Sequence, residues 1–390
     1  MGYRYMPPML DQPRNYRILH LVSNMRWTGV AEPAASLAQW QMRGGHHVAF
    51  GAIWGRSLEE ELLKRELPLA RTLDLDRKMS PLATRRQIRD LRVYIMKQNF
   101  DVVHCHLLHD HWLASLAIRG IAADKRPRLV RTVHRYETMR RDPLHRWLFE
   151  KATNLVITVS AGQEQMIKKA YPALGNRLCV VHGGVDPEKF RPDLPGASLV
   201  RADMGEKPDN MVAGIVAHLG YNRGHKWLLQ ACPAALEKVA NGVIWIVGHG
   251  ELKRELRAEV RNPKYRGRVV MAGYRSDDLP ETYAAMNAAL LLGLGSEGSA
   301  RAALEAMAAG CPVIGVKKGA LLDTVADGYN GFLVEENDVD GLSTALANLL
   351  GNRGECARMG QNARSTVLER FTEEKRYIET MRSYDTAFEL

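Results

Sequence analysis

The chain has 390 residues, enough for two or three hydrophobic cores, and its 46% apolar content is that of a globular protein rather than a disordered one. No stretch approaches the roughly 20 apolar residues of a membrane span, and residues 1–16, polar and proline-bearing, are expected to be a tail rather than a secretion signal. The net charge of +10 is unevenly placed: residues 1–190 hold 30 Lys and Arg against 18 Asp and Glu, a net of +12, while the rest hold 24 against 26, a net of −2.

Strand and helix patterns alternate along the whole chain, which predicts parallel sheets with helices on both faces. Tyr16 to Val22 reads as a strand, Ala31 to Arg43 as a helix closed by Gly44-Gly45, and His47 to Ala52 as the next strand. A basic helix follows, with Arg85, Arg86, Arg89, Arg92 and Lys97 on it and Leu82, Ile88, Leu91 and Ile95 for its apolar side. Strands are then expected at Asp101 to His104, Leu129 to Val133 and Leu155 to Val159. Asp186 to Asp209, with Pro187, Pro192, Pro195 and Pro208, reads as a linker. A second series begins at Met211 to Ala217 and continues through Val243 to Val247, Val269 to Met271, Ala288 to Leu292 and Pro312 to Val316. Two such domains would bind ligand in the cleft at the C-terminal edges of their strands. The five cysteines (Cys105, Cys179, Cys232, Cys311, Cys356) are odd in number and lack any Cys-x-x-Cys, as expected of buried thiols in a reducing compartment.

The basic first half needs an anionic partner or a solvated surface. The group on residues 85–97, and a second of Arg135, Arg140, Arg141 and Arg146 with Tyr136 and Trp147, fit an anionic membrane surface or an acidic lipid-linked acceptor. The plainer reading, a solvated helix face with loop arginines, stays open. Nucleic acid is not expected, since no nucleic-acid-binding motif accompanies the charge. The run His104-Cys-His106-Leu-Leu-His109-Asp110-His111 is dense in metal-ligating types, and a metal hydrolase is the reading it suggests. Its spacing matches no metal motif, and no metal or other cofactor is expected.

The most informative stretch runs from Leu292 to Gly315. Glu297 lies in a Gly/Ser-rich turn after an apolar strand, and Glu305 lies eight residues later in a helical run that Gly310 and Pro312 end. Free amides at the helix start would draw a phosphate over Ser299, Ala300 and Arg301. At 1.5 Å per residue, Glu305 falls roughly 10 Å along from that turn. The spacing suits two hydroxyl-bearing groups flanking a diphosphate. An ordinary crossover with two surface glutamates would look the same.

This segment resembles the Glu-x7-Glu signature of the retaining glycosyltransferases of family 4, and similar matches run from about Ile18 to the C-terminal helix. The resemblance implies an α/β GT-B fold: two Rossmann-like, doubly wound domains facing each other across a cleft. It places an acceptor-side domain at 1–190 and a nucleotide-sugar domain at 191–372, with the helix 373–390 packed back on the first. In such enzymes the first glutamate contacts the donor sugar and the second holds the ribose, so Glu297 and Glu305 take those positions. The usual Glu-Gly-Phe-Gly is Glu-Gly-Ser-Ala here, which puts Ala300 where glycine is common.

Further segments resemble the family. Gly29, in Trp27-Thr-Gly-Val30, stands for the Gly-Gly loop near the donor phosphates, and Asp101-Val-Val-His104-Cys-His106 resembles a strand end facing the cleft. Arg131-Thr-Val-His134 resembles the segment whose histidine lies beside the transferred sugar; an ordinary hydrogen-bonded strand-end histidine is the alternative for His134. Gly183-Gly-Val-Asp186 replaces the common Asn-Gly-Val-Asp. His218 and Arg223 fall on the two basic residues that neutralise the diphosphate, where His218 replaces an arginine and makes that charge depend on pH. Arg301 or Lys226 could compensate. Gly248 belongs to a Gly-x-Gly after a strand, and Gly273 and Tyr274 fall where the base is met. The implied activity is transfer of a hexose-type sugar from a nucleoside-diphosphate sugar to an acceptor hydroxyl with retention, in lipopolysaccharide, glycolipid or other cell-envelope glycan synthesis. Its catalytic group would be His134, Glu297 and Arg223. The expected location is cytoplasmic, with peripheral attachment to the inner membrane. The rival is a catalytically silent GT-B protein that binds a sugar nucleotide or glycan.

Overall fold

A computed structural model describes residues 14–77, 80–134, 139–293 and 297–389, with the side chains of 297–299 outside the description. Two six-stranded sheets carry the architecture, and every pairing in them is parallel. The first holds β1 (Arg17–Val22), β2 (His47–Ala52), β3 (Val102–Cys105), β4 (Arg128–Val133), β5 (Leu155–Thr158) and β6 (Leu178–Val180) in the order β2-β1-β3-β4-β5-β6. The second holds β7 (Met211–Val216), β8 (Gly242–Val247), β9 (Val269–Gly273), β10 (Ala288–Leu291), β11 (Val313–Val316) and β12 (Gly331–Val334) in the order β12-β11-β10-β7-β8-β9. Near-continuous apolar strands such as Met211-Val-Ala-Gly-Ile-Val require helices on both faces, because a strand buried on both sides has no polar side to show. The order of each sheet reverses once, between β1 and β3 and between β7 and β10. Ligand crevices of open parallel sheets form at such points.

The chain crosses between the sheets twice. Val185 N–H donates to Phe371 O at 2.9 Å and Glu373 N–H to Val185 O at 3.2 Å, so the two crossings lie side by side. After the second, the helix Glu373–Glu389 lies on the first sheet, where Tyr384 is fully buried and Tyr377 stacks on Trp40.

Three expectations are corrected. The segment 186–209 is not a plain linker: it contains the helix Ala197–Asp203, and Arg201 fixes it to the second domain through Ala285 O at 2.8 Å and Asn210 O at 2.7 Å. The basic helix Pro81–Gln98 buries Gln87, Leu91 and Ile95, whereas Leu82 is 75% exposed. The helix carrying Glu305 begins at Glu297 rather than after the turn, so the amide of Arg301, its fifth residue, lies inside the first turn of helical hydrogen bonding. An anion at this end would be met by the residues before Arg301.

Candidate functional site

The reversal between β7 and β10 carries a cavity of about 150 Å³, lined by Val216 at the end of β7, by Ala217, His218 and Arg223 after it, and by Leu292, Gly293 and Ala302 after β10. Chain geometry there depends on glycine. Gly224 has φ 80°, and a Cβ on it would come within 2.3 Å of Leu292 Cβ. Gly248 has φ 146°, and a Cβ would meet Ala217 O at 1.9 Å. Side chains at either position would push the two strand ends apart.

His218 and Arg223 are thus brought together, but His218 is not alone. Its Nε2 lies 2.8 Å from Glu251 Oε2, and the hydrogen bonds from its own backbone amide and from His218 hold the Glu251 carboxyl below its ordinary range. His249, between the two glycines of the Gly-x-Gly, sets its ring edge to face with His218 at 5.6 Å and with Tyr274 at 4.4 Å. Tyr274 is 64% exposed. Sequence reasoning passed over Glu251 and His249. The ring between the two glycines was the available signal for His249.

Arg301 sits at the mouth of the cleft. Its Nε donates to Glu305 Oε1 at 2.8 Å and its Nη2 lies 3.3 Å from Glu32 Oε1 on the first domain. Glu32 also receives Arg65 Nη2 at 2.5 Å. Glu305 is therefore buried with one oxygen already engaged, and Glu32 is a site residue that the sequence did not single out. Gly29 is exposed in the turn before the helix Ala31–Arg43, where the Thr28 hydroxyl accepts from Ala31 N–H at 3.4 Å. Ala300 lies buried in the first turn of its helix. The side chains of Glu297 and Ser299 lie outside the described residues, as do Arg135 and Tyr136.

His134 directly follows β4 and is 5% exposed, lining a cavity of about 30 Å³ with Pro33, His106, His182 and Arg376. His104 and His106, expected at a strand end facing the cleft, are almost completely buried instead. They meet His20 of β1, so that one nitrogen from each of the three rings falls within 4.8 Å of the others. All six nitrogens of these rings have protein partners: Gln41 and His106 for His20, Tyr384 and Thr132 for His104, and His20 and His134 for His106. The arrangement is a hydrogen-bond network whose lone pairs are already committed. His111 is bound separately to Thr153 Oγ1 at 2.6 Å. A larger cavity, about 640 Å³, lies at the opposite edge of the first sheet among Arg119, Arg126, Arg128 and Lys151, away from these strand ends.

Two family models match, one on each domain: Glycosyltransferase Family 4 over residues 27–189 and Glycosyl transferases group 1 over residues 199–366. The chain belongs to the GT-B glycosyltransferases. The transferase is 27% identical over 314 residues to the UDP-Gal:alpha-D-GlcNAc-diphosphoundecaprenol alpha-1,3-galactosyltransferase of Escherichia coli, covering 77% of this chain and 79% of that one. A glycosyltransferase of Rickettsia africae superimposes with a TM-score of 0.83 at 19% identity, over 96% of this chain and 99% of the other. Anabaena HepE, solved with UDP and glucose, gives a TM-score of 0.78 at 18% identity, over 95% and 100%. At these identities the solved structures speak for the fold of the transferase.

Proposed function

We propose that the transferase takes a sugar from a nucleoside-diphosphate sugar held at the β7/β10 reversal and passes it, with retention of configuration, to an acceptor hydroxyl on the first domain. The observation that carries this is the cavity at the reversal, where His218 and Arg223 converge beside the helix bearing Glu297 and Glu305. Breaking a sugar–phosphate bond leaves negative charge on the β-phosphate. In this reading Arg223 takes that charge bidentately, His218 adds a proton-dependent positive charge, and the amides ahead of Arg301 complete the cradle, so that no divalent cation is required. Glu305 holds the ribose, Tyr274 and His249 flank the base, Gly29 allows close approach of the phosphates, and Glu297 and His134 contact the sugar.

The E. coli relative is named for a UDP-galactose donor and a diphosphoundecaprenol acceptor, and HepE was solved with UDP. These names support a UDP-sugar donor and a lipid-linked, cell-envelope acceptor, met at the cytoplasmic membrane surface by the basic first domain. No described helix is long and apolar enough to cross a membrane.

A panel of UDP-, GDP- and ADP-sugars tests the reading by thermal shift, followed by hydrolysis assays with the product anomer read by NMR. One nucleotide sugar should raise the melting temperature and be slowly hydrolysed to the anomer of the donor. A panel that neither shifts melting nor is hydrolysed would overturn it. The Glu251 carboxylate on His218 favours a second reading, a GT-B protein that binds sugar nucleotide without turnover, because that pairing draws positive charge away from the phosphate position. Binding with no hydrolysis and no transfer would establish it.

A further inference from the structure

The far edge of the first sheet holds a basic cavity that the proposed reaction does not use. About 640 Å³ of space opens beside Arg128, the first residue of β4, and Asn154, which precedes β5. His134 follows the other end of β4, so the 6 residues of that strand, about 20 Å of extended chain, separate the cavity from the cleft. Four cations line it: Arg119 at the end of the helix Leu108–Arg119, Arg126, Arg128 and Lys151. Asp124 is the one carboxylate of the lining, and among the described residues no ion pair ties these four to it or to any other acid.

A helix C-terminus ordinarily repels an anion, because its last carbonyls are unpaired and carry the negative end of the dipole. Here those carbonyls are covered. Arg92 donates to Ala117 O at 3.0 Å, and Arg126 donates from Nε to Ile121 O at 2.7 Å and from Nη2 to Arg119 O at 3.1 Å. Arg177 does the same for the neighbouring helical turn Leu148–Ala152, through Glu150 O at 2.8 Å and Thr153 O at 2.7 Å. Donors remain after this capping. Arg126 keeps Nη1, and Arg119 and Lys151 donate no hydrogen bond to the described residues. Rings steady two of the guanidinium groups, with Arg119 Cζ 5.6 Å from the Trp147 centroid and Arg128 Cζ 5.3 Å from that of Phe388. Asn154 Oδ1 accepts from Leu129 N–H at 2.8 Å, which leaves its NH2 as a further donor.

We propose that this cavity binds the phosphate groups of a small soluble molecule, a diphosphate or a phosphate ester, at a site separate from the cleft. Guanidinium groups fork onto phosphate oxygens and keep their charge at any physiological pH. A phosphate ester carries about −1.5 to −2 at pH 7, so a ligand with two phosphates comes close to balancing four cations less one carboxylate. The volume falls within the range of small-molecule pockets, about 300–1,000 Å³. A lipid surface is the poorer match. Seating in a membrane interface needs exposed apolar side chains beside the charge, and Leu82, Val93 and Met96 lie on the helix Pro81–Gln98, outside this lining. Phe388 walls the cavity from the end of the helix Glu373–Glu389, so the occupant braces the helix that crosses back from the second domain.

Inorganic pyrophosphate is titrated calorimetrically into the full-length protein at about 0.15 M salt, where a Debye length of about 8 Å screens separated surface charges. Wild type is compared with Arg223→Gln, with Arg119→Gln/Lys151→Gln, and with the charge-matched control Arg85→Gln/Arg86→Gln. One binding event should survive Arg223→Gln and the control, and Arg119→Gln/Lys151→Gln should weaken it roughly tenfold or more, the loss of a charge-assisted hydrogen bond. That double variant should melt within about 2 °C of wild type, since neither side chain is hydrogen-bonded to the fold. Pyrophosphate binding that disappears in Arg223→Gln would overturn the proposal and leave the donor reading standing. Equal binding in wild type and Arg119→Gln/Lys151→Gln, or an equal loss in the control, would also overturn it. Wild type and Arg119→Gln/Lys151→Gln should float alike with phosphatidic acid vesicles. A variant that loses the vesicles together with pyrophosphate would assign the phosphate to a lipid headgroup and overturn the soluble occupant.

Discussion

Arg301 of the second domain and Glu32 of the first lie 3.3 Å apart across the cleft, each only partly exposed to solvent. Arg301 also holds Glu305 at 2.8 Å, so one guanidinium joins the proposed ribose-binding carboxylate to the opposite domain. In the proposed reaction a diphosphate at the start of the helix Glu297–Ala308 competes with Glu32 for this cation. Glu32→Gln should therefore tighten binding of the free nucleoside diphosphate about two- to fivefold, the range of a partly exposed ion pair near 1 kcal/mol or less. Calorimetric titration measures it, and an unchanged dissociation constant would show that Arg301 is not shared with the phosphate.

Glu305→Gln tests the other end of the same contact. Charge-assisted hydrogen bonds contribute about 1.5–3 kcal/mol, so losing the carboxylate should weaken nucleoside diphosphate binding at least tenfold while the isosteric amide keeps the fold. Equal affinity in the two proteins would exclude Glu305 from the ribose.

The proposed phosphate position includes a residue whose charge is conditional. His218 carries its positive charge only when protonated, and its Nε2 lies 2.8 Å from Glu251. Nucleotide affinity should fall as pH rises from 6 to 8 in the wild type. His218→Arg should flatten the profile. Superimposable profiles for wild type and His218→Arg would remove His218 from the phosphate site.

The sheets were legible because parallel strands are long apolar runs separated by glycine and proline stops, as in Met211 to Val216 or the helix ending at Gly44-Gly45. Two strands were not: β6 is only three residues, Leu178-Cys-Val180, and β12, Gly331-Phe-Leu-Val334, begins at a glycine that closes the turn-forming run Asp327-Gly-Tyr-Asn-Gly331. The start of the Glu305 helix was set late because Gly298 and Ser299 favour turns; burial of Ala300 and the residues beyond it outweighs that local preference. His218, Arg223 and Glu305 could be named because each lies within a short motif. Glu32 and the link of His20 to His106 could not, since 86 residues separate these two histidines and only the β1–β3 pairing makes them neighbours.

Acid should destabilise the protein through these same rings. An unfolded histidine titrates near 6.5 and buried His20 near 4, so between those values the unfolded chain takes up a proton that the native state refuses. Stability therefore falls as pH falls through that window, by about 2 kcal/mol from pH 7 to 5 for His20 alone, with His104 and His106 adding to the loss. Asp110, raised by burial from 3.8 to about 6, acts in the opposite direction and returns about 1 kcal/mol. Urea unfolding at the two pH values should show a net loss. Equal stability at pH 7 and 5 would mean that the rings are not held neutral.

The basic helix Pro81–Gln98 divides its arginines between two tasks. Arg92 donates to Ala117 O at 3.0 Å and Leu116 O at 3.5 Å, closing the end of the helix Leu108–Arg119, so it is structural. Arg85, Arg86 and Arg89 face solvent beside the exposed Leu82, Val93 and Met96, with Asp90 as a surface partner for Arg86 and Arg89. At about 1 kcal/mol per basic residue near an anionic surface, replacing these three with glutamine should lower partitioning onto phosphatidylglycerol vesicles roughly a hundredfold. Wild-type binding should itself weaken from 0.1 M to 1 M salt as the Debye length contracts from about 10 Å to 3 Å. Arg92→Gln should instead lower the melting temperature, and neither variant should change affinity for the nucleotide, whose proposed site lies on the other domain. A wild-type protein that ignores anionic vesicles at low salt would remove the membrane surface from its partners and leave the exposed arginines as a solvated face.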